Sequence, residues 1–392
     1  MERMRVRAGL LLLAVVSWAG LAEAKKPATR LPNPQRSGIR HIVVVTMENR
    51  SFDHMLGWLP GADGKQAGLV YTDRDGVAHA TYPLAPDYQG CPYSDPDHSY
   101  DGGRTQLDGG LCDGWLRAGT DDLFPIGYYV QSDLAFLGRA AADWTVLDRY
   151  FAPIMAPTYP NRIYEHAAVT DRLDDSVYPP STLPTIWDRL AEEGYSGRYY
   201  ASDIPFLALW GTKYASITRS YDDFLADCAA GALPDVAFVD PPFQGESSGT
   251  SADDHPHGDI RAGESFLDRT YEAIIASPEW SSTVLVVNFD EWGGFFDHVP
   301  PPVADDVDPA FTQRGFRVPA LVISPWSRRG WVGSNVYDHT SVLKMIEWRF
   351  HLRPLSVRDA EARNLAEVLD FSNPNPSAPA YGVGSFTPTA CP

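Results

Sequence analysis

The amino-acid sequence predicts an α/β protein with a large, mostly parallel central sheet covered on both faces and long loop excursions. Three observations carry this prediction. Apolar runs bounded by turn residues recur at 41–46, 197–201, 235–239, 283–289 and 317–323. Segments with helical spacing lie between several of them. Two of the runs end in carboxylate and amide side chains, and in open α/β sheets ligands sit at the carboxyl ends of strands.

The first 24 residues read as an export signal. Arg3, Arg5 and Arg7 precede an apolar stretch from Leu10 to Val16, and Ala22-Glu23-Ala24 supplies a small-residue cleavage site. The stretch is too short to span a bilayer, so a periplasmic or secreted location is expected. An uncleaved anchor is the alternative. After the first strand, apolar residues recur every three to four positions at Val130, Leu134, Leu137 and Ala141, and at Ile186 and Leu190. The same holds for Ile260, Gly263, Leu267, Tyr271 and Ile274, and for Val342, Met345 or Ile346, and Arg349-Phe350. Strands alternating with such helices imply crossover units and a parallel sheet. No repeat or dividing linker interrupts the pattern, so residues 25–392 are expected to form one catalytic domain. Residues 371–392 form its extended tail, with Cys391 available to tie it down.

Residues 60–125 are rich in Gly, Asp, Pro and Tyr and read as an extended excursion, the kind of loop that is usually functional. Cys91, Cys112, Cys228 and Cys391 allow three pairings. A Cys91–Cys112 disulfide is expected, because both lie in that excursion.

The stretch from Val284 to Phe289 runs into Asp290-Glu291-Trp292-Gly293-Gly294, a buried strand delivering two adjacent carboxylates to a Gly-Gly turn. Ile42 to Val45 leads into Thr46-Met47-Glu48-Asn49-Arg50. Desolvating neighbouring carboxylates is costly unless a cation or strong donors compensate. Two strands delivering hard oxygen ligands therefore point to a metal site.

Pro157-Thr158-Tyr159-Pro160-Asn161-Arg162 precedes a short helix predicted over 161–166. A Thr hydroxyl at a helix N-terminus faces free backbone N–H groups that suit a phosphate. Beside a cation such a hydroxyl can attack phosphorus, and Arg162 can neutralise phosphate oxygens. The competing reading is an ordinary helix cap. Asp253-Asp254-His255-Pro256-His257 lies before the long helix and is either an acidic helix start or a source of a general acid. His98, in Asp95-Pro96-Asp97-His98, is a second candidate or a solvated loop histidine. Phe296-Asp297-His298 is a supporting group behind the site, and Asp338-His339 a helix cap.

Four of these stretches together resemble the bacterial phosphoesterase family, which holds the non-specific phospholipases C and related acid phosphatases within the alkaline-phosphatase-like superfamily. They are Met47 to His54, Pro157 to Arg162, Asp254-His255-Pro256 and Asp290 to His298. The resemblance runs from about residue 40 to 370. It implies an α/β/α sandwich and one divalent cation, which could be Mg, Ca, Mn, Zn or Fe. By motif, Glu48, Asn49, Asp290 and Glu291 would hold that cation, with Thr158 as nucleophile and further ligand. His255 would be the general acid, with His98 on a phosphate oxygen or sharing proton transfer. Many non-specific phospholipases C carry further C-terminal β-rich modules. Here the sequence ends soon after Asn364 to Phe371, so membrane contact is expected from catalytic-domain loops.

A net charge of −19 argues against nucleic acid and disfavours adsorption to anionic lipid. No obligate protein partner is evident. The expected activity is phospholipase C-type cleavage of phospholipids through a phospho-threonine, with transient membrane-surface contact. An acid phosphatase acting on monoesters is the alternative. From other classes come a non-catalytic phosphate- or lipid-binding secreted protein and a calcium-stabilised structural protein. The aromatics Tyr150-Phe151, Phe206 and Trp210 either line a lipid entrance or belong to the core.

Overall fold

The computed structural model describes residues 31–120 and 122–392; the expected export signal lies outside them. Eight strands make the main sheet, numbered here in chain order. They are β1 (His41–Met47), β2 (Thr145–Leu147), β3 (Gly197–Ala201), β4 (Thr218–Ser220), β5 (Val236–Asp240), β6 (Thr283–Phe289), β7 (Ala320–Ile323) and β8 (Trp331–Gly333). Across the sheet they run β8-β2-β7-β6-β1-β5-β3-β4. Only β7 runs antiparallel to its neighbours. Every residue of β1, β5 and β6 is buried, which explains why these strands read as unbroken apolar runs. A parallel strand covered on both faces has no solvent side to alternate toward.

The two helical layers can be assigned from adjacent residues. Tyr199 and Tyr200 of β3 point to opposite faces because strand side chains alternate. Tyr199 packs against His166 and Trp187, from the helices Thr158–Ala167 and Ile186–Glu192. Tyr200 packs against Phe224 of the helix Tyr221–Ala230 and donates from its hydroxyl to Asp227 at 2.6 Å. That helix is tied to the long helix Ile260–Ala276 through Tyr221 and Thr270. The result is an α/β/α sandwich.

The expected strands are all present, although the last begins at Ala320 rather than 317. Three strands too short to read from pattern, β2, β4 and β8, complete the sheet. The helix expected from Val130 starts only at Leu137. The carboxylate of Glu264, from the long helix, accepts from the backbone N–H of Leu137 at 3.0 Å, and Asp133 holds Val130 N–H at 2.9 Å. A partner distant in sequence thus sets that helix start. Asp338 does cap the helix His339–Phe350, accepting from Thr340 N–H at 2.9 Å.

The expected Cys91–Cys112 disulfide is not formed. Cys91 is bonded to Cys391, 300 residues away, while Cys112 and Cys228 are free and buried. Cys112 packs into a side cluster with Trp115, Trp292 and Phe316, and burial pushes its thiol up to about 12. Sharing an excursion did not place the two sulfurs together. The bridge instead secures the C-terminal tail, which crosses the long helix: Tyr271 donates to the Pro379 carbonyl at 2.7 Å, and Val383 N–H to Asp268 at 2.8 Å.

Candidate active site

Strands β1 and β6 are neighbours, and their register pairs Met47 with Phe289. Glu48 and Asp290 therefore leave the sheet side by side, and Asp290 N–H donates to the Met47 carbonyl at 3.0 Å. The turn after β6 needs its glycines. A Cβ on Gly293 would sit 1.9 Å from the Asn49 carbonyl oxygen, and φ there is +62°, a region that favours glycine.

Three buried carboxylates stand at these two strand ends, and each divides its oxygens in the same way. Asp290 Oδ1 accepts from the N–H groups of Asn49 (3.0 Å) and Glu291 (2.7 Å), while its Oδ2 has no hydrogen-bond partner. Glu291 Oε2 accepts from Gly293 N–H at 2.8 Å, and its Oε1 has none. Glu48 Oε1 is gripped by Arg162, and its Oε2 accepts only from the Thr158 hydroxyl at 3.3 Å. Asn49 Oδ1 lies 3.4 Å from the same hydroxyl. One oxygen of each carboxylate is fixed to the scaffold, and the other remains for something else.

The electrostatics agree. Burial, and then Asp290, raise Glu48 well above the usual carboxylate range despite Arg162. Burial likewise raises Glu291, against His98 and with Asp290. Arg162 at Glu48 and His98 at Glu291 do not bring either carboxyl back to its usual range. Glu48, Asn49, Thr158, Asp290 and Glu291 all carry oxygen donors of the kind a hard divalent cation takes, and beside Glu48 and Thr158 the side chains of Asp95, His98 and His255 bring ligand atoms within 4.8 Å of one another.

Thr158 is the first residue of its helix, which runs Thr158–Ala167 rather than starting at 161. The N-terminal turn offers fewer donors than expected, because Asp175 accepts from Tyr159 N–H at 2.7 Å and Pro160 has none. Arg162 sits one turn on, fully buried. Its guanidinium donates to Glu48 Oε1 (3.1 Å from Nε) and to the Thr46 carbonyl at 3.1 Å, and lies 3.5 Å from Asp240. It stacks on Phe206 at 4.4 Å. It holds Glu48, and its Nε also lies 3.9 Å from Asp290 Oδ2.

A cavity of about 810 Å³ opens over Thr158 and Glu48, and His98 and His255 both line it. The loop carrying His255 is pinned to the end of β1. Glu48 N–H donates to the Asp253 carbonyl at 2.8 Å, and Arg50 Nε to the Asp254 carbonyl at 2.6 Å. His98 Nδ1 hydrogen-bonds the Pro96 carbonyl at 2.8 Å, and its Nε2 lies 3.2 Å from Asn49 Nδ2. Burial works against a charged His98, but Glu291 and Asp95 outweigh it and raise the imidazole to about 9. The two rings stand 6.1 Å apart. Asp95 lies between them, 3.9 Å from each.

Asp95 joins the site through its place three residues before His98, the one signal of it in the sequence. Asp175, Glu246 and Phe243 also line the cavity, and no local motif marks them. Of the aromatics, Phe206 lines the cavity, whereas Tyr150, Phe151 and Trp210 are core. Asp297 and His298 join Asp53 and Arg317 in a separate network.

Residues 39–353 match the Phosphoesterase family. The chain belongs to that family. It is 30% identical to non-specific phospholipase C1 of Arabidopsis thaliana, over 84% of this chain and 71% of the relative. It is also 30% identical to phospholipase C B of Mycobacterium tuberculosis, over 87% and 80%. The non-hemolytic phospholipase C of Pseudomonas aeruginosa is 29% identical, and the match covers 92% of this chain but 62% of that protein. A solved alkaline phosphatase superfamily protein from Vibrio parahaemolyticus aligns over 59% of this chain and 63% of its own, at 12% identity and a TM-score of 0.39. Membership rests on the sequence matches. The phosphoesterase is accordingly a hydrolase of phosphoric esters.

Proposed function

We propose that this phosphoesterase cleaves phospholipid phosphodiesters in the manner of a phospholipase C, through a phospho-threonine intermediate, outside the cytoplasm. The observation that carries the reading is the position of Thr158 Oγ1. It lies 3.3 Å from Glu48 Oε2 and 3.4 Å from Asn49 Oδ1, beneath a cavity that His98 and His255 also line.

A divalent cation bound by Glu48, Asn49, Thr158, Asp290 and Glu291 would favour the ionised hydroxyl and draw charge from the phosphoryl oxygens. Thr158 Oγ1 attacks phosphorus in line, forming a P–O bond as the bond to the diacylglycerol oxygen breaks. His255 gives its proton to the departing alkoxide. It then takes a proton from water, whose oxygen attacks the phospho-threonine and releases the phosphorylated headgroup and free Thr158. Such transfer relies chiefly on positioning and electrostatics. His98 orients a phosphoryl oxygen, and Arg162 holds Glu48 in place.

Diesters are preferred over monoesters because Asp95 and Asp175 line the same cavity. A carboxylate-rich wall suits a ligand with a cationic headgroup better than a dianion. The Cys91–Cys391 bridge supports an oxidising compartment. Thr158→Ala should abolish turnover of phosphatidylcholine and of p-nitrophenylphosphorylcholine while leaving the thermal midpoint unchanged. Mass spectrometry of parent enzyme acid-quenched during phosphatidylcholine turnover should find a phosphocholine adduct on Thr158. Parental turnover in the variant would refute the nucleophile.

A further inference from the structure

Beyond the reacting centre, we infer that Val177, Tyr178 and Ile204 on the outer rim of the cavity form a docking surface for a zwitterionic phospholipid bilayer. This rests on the phospholipase C reading and adds how a bilayer is engaged. Val177 is 54% exposed, Tyr178 79% and Ile204 59%. Singly exposed apolar residues are ordinary on a protein surface. These three are set apart because all of them line the cavity that holds Thr158. Six other large apolar side chains are exposed among the described residues, and none of them lines it.

The apolar character continues inward. Phe206, Leu209 and Phe243 line the same cavity, so a lipid leaving the bilayer at the rim meets apolar wall on its way to the threonine. Acyl-bearing substrate lies in a surface, so a reaction centre beneath a rim of this kind gains from burying the rim among the headgroups.

Charge decides which bilayer. The rim loops carry Asp174, Asp175 and Asp203. Arg172, in the loop before Val177, is engaged with Asp171 at 2.8 Å and with the Pro179 carbonyl at 3.0 Å. With a net charge of −19, the protein is repelled by an anionic surface, and among the described residues no Lys or Arg lines the cavity with the apolar three. Phosphatidylcholine presents no such barrier.

The test uses the full chain, with vesicles of phosphatidylcholine alone or mixed with phosphatidylglycerol. The triple variant Val177→Ser, Tyr178→Ser, Ile204→Ser should co-sediment with phosphatidylcholine vesicles about tenfold less than the parent and hydrolyse vesicle lipid correspondingly slower. Its turnover of the water-soluble monomer p-nitrophenylphosphorylcholine should match the parent's. In the single variant Tyr178→Trp, brominated phosphatidylcholine should quench emission beyond that lost by the parent. Unchanged vesicle binding in the triple variant, equal loss on both substrates, absence of extra quenching, or parental preference for anionic vesicles would each overturn the docking surface. A parent that binds vesicles through this rim but hydrolyses neither substrate would instead overturn the phospholipase reading and leave the surface standing.

Discussion

Two clusters of buried acids in this molecule contain similar residues and meet opposite fates. Asp53 and Asp297 lie with His298 in a group whose ligand atoms are within 4.8 Å of one another, close enough to hold a metal. Every oxygen there is already satisfied. Asp53 accepts from Lys65 N–H at 2.9 Å and Arg317 at 3.1 Å on one oxygen, and from His298 N–H at 2.9 Å on the other. Asp297 accepts from Arg317 Nε at 2.9 and 3.1 Å and from Val299 N–H at 2.9 Å. At Glu48, Asp290 and Glu291, by contrast, two oxygens have no hydrogen-bond partner although Arg162 grips Glu48. Proximity of acids is therefore a poor guide to a site. Unmet hydrogen-bonding capacity separates these two clusters, because a buried unsatisfied acceptor is costly unless it serves a ligand; it marks a site only beside a cavity, since both oxygens of buried Asp254 and Glu347 are also without a hydrogen bond.

The comparison breaks most sharply at the cations. Arg317→Met would leave Asp53 and Asp297 buried without their partner, and should cost about 3–5 kcal/mol of stability in denaturant titration. Turnover per folded molecule should change little. A stable, inactive Arg317→Met protein would mean that the second cluster belongs to the reaction after all.

At the other cluster the balance is reversed. Asp290→Asn removes one of the surplus charges, so turnover should fall by about 100-fold or more, while the chelator-treated variant should melt no lower than the chelator-treated parent. A chelated variant markedly less stable than the chelated parent would show that Asp290 is a structural acid like Asp297. Divalent cation sharpens the same contrast. At about 100 times its dissociation constant a bound ion adds about 2.7 kcal/mol, so chelation should lower the melting temperature of the parent but not of Asp290→Asn. Equal shifts in both would move the cation elsewhere.

How much of this was legible follows from where each constraint originates. Strands β1 and β6 could be read because burial on both faces enforces an apolar run, and the acids and glycines that end them are contiguous. Thr158 and Arg162 lie one helical turn apart, so their joint presence was visible, yet Arg162's commitment to Glu48 was not, since Glu48 comes from another strand. The Cys91–Cys391 bridge depends on the path of the tail across the long helix, which no local pattern encodes. The start of the helix at Leu137 is decided by Glu264 in the same way. The rim residues Val177 and Ile204 come from two separate loops, and only the fold brings them to one cavity.

A third buried acid offers the smallest test. Asp338 accepts from Arg314 Nε at 2.7 Å, Arg358 Nη2 at 3.2 Å and Thr340 N–H at 2.9 Å. Burial alone would raise its carboxyl, but Arg314 and Arg358 outweigh burial and hold it well below the usual carboxylate range. An acid depressed in the folded state stabilises the protein above its unfolded value, near pH 4. That contribution is lost as pH falls toward the folded value, because protonation then favours the unfolded chain. One carboxylate gives a slope of at most about 1.4 kcal/mol per pH unit. Denaturant titrations between pH 5 and pH 2 should therefore show the stability gap between the parent and Asp338→Asn narrowing as pH falls below 4. A gap that stays constant across that range would mean that the two arginines do not hold Asp338 charged, and that satisfied hydrogen bonds alone do not mark a carboxylate as structural.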